Sequence, residues 1–227
     1  MSTPAPGLPT RIKDGLAKLR RPPQDAAFAS EPKFDPTSWG GALAVMGVFA
    51  AALWIIQIVN SADDQGLNRF GLKPREIDGL WGILAQPFLH VSYSHLLSNT
   101  VPLVLIGWVL LLSGVRVWLF VTAVVVVLGD AATWLVAPSD HVIVGASGMI
   151  FGWMGYLLAR AYFSRRVKWI LTAIALLVFF GTLLGSLLPE ADTHVSWQSH
   201  VCGFAAGVFV GWLLHPRQQR VRRNKSA

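Results

Sequence analysis

A single cysteine, Cys202, excludes an intramolecular disulfide and any CxxC redox or zinc pair, and it leaves the compartment open. Charge is also scarce. Only 14% of the chain is charged against 53% hydrophobic, and apolar runs long enough to cross a bilayer of ~30 Å recur along it. The composition is that of a polytopic membrane protein. Acidic residues are the scarcer sign, 12 Asp and Glu against 19 Lys and Arg. The resulting charge of +7 does not point to nucleic acid, because the basic residues lie beside apolar spans, where topology and anionic lipid headgroups account for them. An HExxH zinc motif is missing as well, and no cleavable signal peptide or internal repeat is visible.

The chain divides into three parts. Residues 1–38, rich in proline and charge, read as a cytoplasmic, largely disordered basic arm. Within it Ile12, Leu16 and Leu19 share a helical face beside basic residues, the pattern of a short helix lying on the membrane surface. Residues 39–215 hold six apolar spans, at about 41–60, 95–113, 117–136, 147–163, 167–188 and 196–215. Residues 216–227 form a basic tail. The long connection from Ser61 to Ser94 is too apolar for a linker and too polar to span; Leu80, Trp81, Ile83, Leu84, Phe88 and Leu89 predict short helices at the headgroup level.

Basic residues set the orientation. They cluster in the N-terminal arm, at Arg116, at Arg160, Arg165, Arg166 and Lys168, and in the tail. Residues 137–146 and 189–195 contain no Lys or Arg, and only the first long loop, with Arg69, Lys73 and Arg75, dilutes the pattern. By the positive-inside rule both termini are then cytoplasmic, and the expected location is the cell membrane. Spans two, four and six all enter from the outer face, which puts His95, Ser147 and His200 at one depth, near the outer surface.

Those residues carry the chemistry. Gly145-Ala146-Ser147-Gly148 taken alone is a small-residue helix start with a serine cap. With His200 opening another span, Ser147 acquires a base that could take its proton. His95 and Asn99, at i and i+4, project from one helical face and, with the Ser147 amide at a helix N-terminus, supply donors for an oxyanion. Gly148, Gly152 and Gly155 on span four and Gly203, Gly207 and Gly211 on span six form small-residue faces that allow close helix approach. Peptide hydrolysis within the membrane is the reaction these parts support.

Taken together, His95-Leu96-Leu97-Ser98-Asn99 on span two, Gly145-Ala146-Ser147-Gly148 opening span four, and His200 with Gly203 and Gly207 on span six resemble the rhomboid intramembrane serine proteases. The resemblance covers residues 41 to 215. It implies an all-α membrane protein, a six-transmembrane-helix rhomboid-like bundle that cleaves transmembrane protein substrates without a metal or other cofactor. By resemblance Ser147 is the nucleophile, His200 the base, and His95, Asn99 and the Ser147 amide the oxyanion hole, with Gly145, Gly148, Phe151, Gly203 and Gly207 in support. His90 matches a histidine often found before span two, where a structural role is expected. Three departures stand out. Phe151 occupies the place of a frequent tyrosine, Trp81-Gly82 replaces a Trp-Arg pair of the first loop, and Ser199 precedes the histidine where alanine is common.

Asp130, a carboxylate within span three, reads as a cap or a polar contact near the loop; a third catalytic member orienting His200 is the alternative, against which the family's dyad argues. His141, His194 and His215 read as interfacial. Two rival functions remain on the sequence, a non-catalytic relative that binds membrane helices and an ion site built on His90, His95, His200 and Asp130. Substrate identity and oligomeric state are not legible in the chain.

Overall fold

The computed structural model describes residues 34–188 and 196–223, with side chains of the final helix through residue 215. The expected surface helix near residues 12–21 and His194 lie outside the described residues. Six long helical segments follow one another: α1 (Trp39–Ala62), α2 (Tyr93–Leu111), α3 (Val115–Val136), α4 (Ser147–Ser164), α5 (Val167–Leu187) and α6 (Trp197–Arg223). No strand occurs among the described residues, and the one isolated β-bridge joins two loops.

Four of the six, α1, α2, α3 and α5, are long and apolar enough to cross a bilayer. α4 is less apolar for a reason visible in the packing. Twelve of the 18 residues of α4 are buried, so neighbouring helices surround it where lipid surrounds α5, which buries only Trp169 and Leu176 in its α-helical part. A helix enclosed by protein can carry small and polar residues that a lipid-facing one cannot. The protein is a multi-pass membrane bundle with α4 at its centre.

Glycine sets how closely α4 and α6 approach. A Cβ on Gly203 would collide with the carbonyl oxygen of Gly148, and one on Gly207 with the carbonyl oxygen of Gly152. A Cβ on Gly155 would meet the carbonyl of Phe204 from the opposite direction. Gly211 lies against Ala159 and Tyr156. The small faces predicted on these two helices therefore meet backbone to backbone over several turns.

Local signals explain most helix ends. Ser38 caps α1 by accepting from the amide of Gly41 at 3.0 Å, and Ser92 caps α2 by accepting from the amide of His95 at 3.1 Å, two residues earlier than the span predicted from sequence. α3 contains a π-helical turn at Val125–Gly129, directly before Asp130. α4 passes into α5 through Arg165, whose φ of 49° is left-handed, and Arg166. α6 does not stop at the expected boundary of 215; it continues as helix to Arg223.

The long connection between α1 and α2 is built as expected from short helical pieces, Gly66–Phe70, Ile77–Gly79, Gly82–Ala85 and Gln86–Phe88. It is fastened at two places. Buried Asn60 donates to the side chains of Gln65 and Asn68 and to the carbonyl of His90, and its own carbonyl accepts from the amide of Leu67. Further along, Leu72 and Ile143 exchange two backbone hydrogen bonds at 2.9 and 2.8 Å, while the guanidinium of Arg75 donates to the carbonyls of Leu135 and Ala137 at the end of α3.

If backbone contact sets the α4–α6 spacing, Gly207→Ala lowers thermal stability by about 1–3 kcal/mol through overpacking. Gly47→Ala, where nothing lies within 4 Å, serves as the control and does not lower the melting temperature.

Candidate active site

The loop before α4 has a conformation that only glycine accepts comfortably. Gly145 has φ of 129°, and a Cβ there would also press on the imidazole of His95, 2.8 Å from Cε1. Two neighbours hold this loop: the carbonyl of Gln86 accepts from the amide of Gly145 at 2.9 Å, and Nε2 of His90 accepts from the amide of Ala146 at 3.4 Å. Ala146 is the cap residue, so Ser147 is the first residue of the helix rather than its cap. Its hydroxyl is left free for another partner.

That partner is His200. Ser147 Oγ lies 2.8 Å from Nε2 of His200, on a helix that the glycine contacts bring within reach. The other ring nitrogen, Nδ1, lies 3.0 Å from the backbone carbonyl of Ser186. A carbonyl can only accept, so Nδ1 carries the proton and Nε2 presents its lone pair to the serine hydroxyl. The ring is fixed in a second way, by Phe151, whose ring stacks on it at 4.4 Å between centroids and 27° between planes. Stacking therefore survives the replacement of tyrosine by phenylalanine.

A cavity of about 180 Å³ opens at this pair, lined also by His95, Ser98, Asn99, Pro102, Ile150, Leu183 and Ser186. His95 and Asn99 reach it from successive turns of α2. Buried Nδ2 of Asn99 and Nδ1 of His95 have no hydrogen-bond partner among the described residues. Polar atoms left unpaired beside a cavity are suited to an acceptor that arrives with a ligand. All four polar residues singled out in the sequence thus line one cavity.

Asp130 does not join them. Its side chain is 3% exposed and lies beside the side chain of Gln86, while the nitrogen of His200 that a third catalytic residue would orient is already taken by Ser186. Asp130 thus has the surroundings of a polar contact rather than of a third member of a triad. Gln86 and the Ser186 carbonyl were both missed from sequence. A backbone carbonyl carries no residue signal, whereas a glutamine in the otherwise apolar 83–89 stretch was a usable one. His141 pairs with Asp140 at 2.6 Å and His215 lies against Phe163, both away from the cavity.

His90, outside the spans, is buried, and its ring packs edge-on against His95 at 5.1 Å. Burial, with repulsion from His95 second, pushes its pKa down to about 3.

Comparison with known proteins identifies the family. Residues 78–217 match the Rhomboid domain family model, and the chain belongs to the rhomboid family. It is 35% identical over 189 residues to an uncharacterized protein of Mycobacterium tuberculosis, covering 79% of this chain and 78% of that one. An uncharacterized protein of Mycobacterium leprae is 32% identical over 231 residues, covering 97% and 91%. The rhomboid protease GluP of Bacillus subtilis is 28% identical over 155 residues, 66% of this chain and 29% of that protein.

The depressed pKa of His90 gives a signed expectation. A histidine neutral when folded and titrating near 6.5 when unfolded contributes stability that is complete above pH 6.5 and is lost as pH falls toward 3, about 2 kcal/mol of it by pH 5. The fall in melting temperature between pH 7 and pH 5 should be smaller in His90→Gln than in wild type. Equal falls would assign the slope to other groups.

Proposed function

We propose that the protein is an intramembrane serine endopeptidase that cleaves transmembrane segments of membrane-protein substrates. The observation that carries this reading is the 2.8 Å contact between Ser147 Oγ and a His200 whose tautomer leaves Nε2 free to accept. In the proposed reaction Nε2 takes the hydroxyl proton as Oγ attacks the scissile carbonyl, and the imidazolium then returns that proton to the leaving amine. Water repeats the cycle on the acyl-enzyme. The developing oxyanion is received by the Ser147 amide, at the start of α4, and by the unpaired side chains of His95 and Asn99.

Orientation belongs to the same proposal. Both termini are cytoplasmic in the cell membrane, and the site opens toward the outer leaflet, because His95, Ser147 and His200 all lie in the first turn of helices entering from that side. Arg75, which dilutes the charge pattern, is used in capping the end of α3, so its position outside has a local cause.

Purified protein should be labelled by a fluorophosphonate probe, and neither Ser147→Ala nor His200→Ala should be labelled or cleave a model transmembrane substrate while folded in detergent. Cleavage by Ser147→Ala at the wild-type rate would remove the serine-protease reading.

Asn99→Ala should lower kcat more than it raises KM, since an oxyanion donor acts on charge present only near the transition state. One lost donor typically costs roughly 10² to 10³, and with His95 and the amide retained the lower end or less is expected. Because Nδ2 of Asn99 makes no bond among the described residues, the melting temperature should change little. A normal kcat with a lowered melting temperature would instead make Asn99 a packing residue.

A further inference from the structure

The turn between α4 and α5 lies at the opposite end of α4 from Ser147; Arg160, 13 residues along the helix, is about 20 Å away. Four cations gather there, Arg160, Arg165, Arg166 and Lys168, while residues 147–188 contain no Asp or Glu. The ion pairs among the described residues, Lys73 with Asp78 and His141 with Asp140, involve none of these four. Two of them instead share one aromatic ring. The Arg160 guanidinium lies 3.8 Å from the centroid of the Trp169 ring and the Lys168 ammonium 4.8 Å from the same centroid. Arg160 also donates to the hydroxyl of Tyr156 at 3.3 Å.

Several donors of this turn are buried yet unused. Nε of Arg160, Oγ of Ser164 and Nη2 of Arg166 have no acceptor among the described residues. A charge pattern that served orientation alone would need cations in water and would gain nothing from burying their donors. Converging cations with unpaired buried N–H and O–H groups call for an anion carrying several acceptor oxygens. The surroundings specify its source, since Tyr162, Val167 and Leu171, all exposed, flank the turn with apolar surface of the kind that meets acyl chains.

We propose that this turn binds the phosphate of an anionic phospholipid, with Arg160, Ser164, Arg166 and Lys168 as its donors. The lipid holds α4 and α5 together at the end remote from the cavity. The site is independent of the proteolytic reading and would exist in an inactive chain.

The test uses the full chain in a non-ionic detergent, titrated with short-chain phosphatidylglycerol, phosphatidylcholine or inorganic phosphate. Melting temperature and native mass spectrometry are the readouts. Phosphatidylglycerol should raise the melting temperature saturably and remain bound in the spectrometer, and phosphatidylcholine should do neither. Arg166→Gln should weaken the phosphatidylglycerol response by about fivefold, as loss of one cation at a membrane surface does. Lys168→Gln, a change at an exposed side chain, should also weaken it, and carries the test if Arg166→Gln does not fold. Equal responses to the two lipids, or an undiminished response in the variants that fold, would overturn the proposal. An identical shift with inorganic phosphate alone would overturn the lipid assignment in favour of a free anion.

Discussion

Everything at the cavity depends on how closely two helices can lie. Ser147 and His200 belong to different helices, and a hydrogen bond between their side chains requires backbones closer than ordinary side chains permit. Gly203 against Gly148 and Gly207 against Gly152 provide that approach, with a peptide carbonyl where a methyl group would otherwise sit. Lipid offers little hydrophobic drive for such pairing, so the close packing itself is the main attraction available.

Around this contact the rest of the molecule acts as a clamp on the loop before α4. Gln86 and His90, both from the connection between α1 and α2, hold successive amides of that loop, and Asn60 at the end of α1 holds the His90 carbonyl. Position is therefore relayed from α1 through the connection to Ser147. The buried carboxyl of Asp130 lies beside Gln86 from the α3 side and so belongs with this support.

The fold was readable because membrane spans advertise themselves by length and apolarity, and because glycines four residues apart on α4 and α6 announce a close interface. Ser147, His200, His95 and Asn99 were legible since each stands as a polar residue at the start of an otherwise apolar helix. Helix ends were less so. α2 begins two residues early because Ser92 caps it, and α6 runs past 215 because helical geometry continues after hydrophobicity ends. A polar contact was the favoured reading of Asp130, but its neighbour was not readable. Depth along a helix can be counted from sequence, but whether its carboxyl turns toward His200 or Gln86 depends on azimuth, which the π-helical turn just before it alters.

The partner of His200 Nδ1 is a peptide oxygen, that of Ser186, not a carboxylate. Such a partner is invisible to side-chain mutagenesis, since every amino acid placed at 186 would present the same oxygen. It is also electrically neutral. The imidazole is steered without a charge beside it, and its alignment is inherited from the path of the main chain near the end of α5. Alignment of the base in this arrangement is thus set by chain trajectory, and it could drift during evolution through changes in helix position while every polar side chain around the cavity stayed the same.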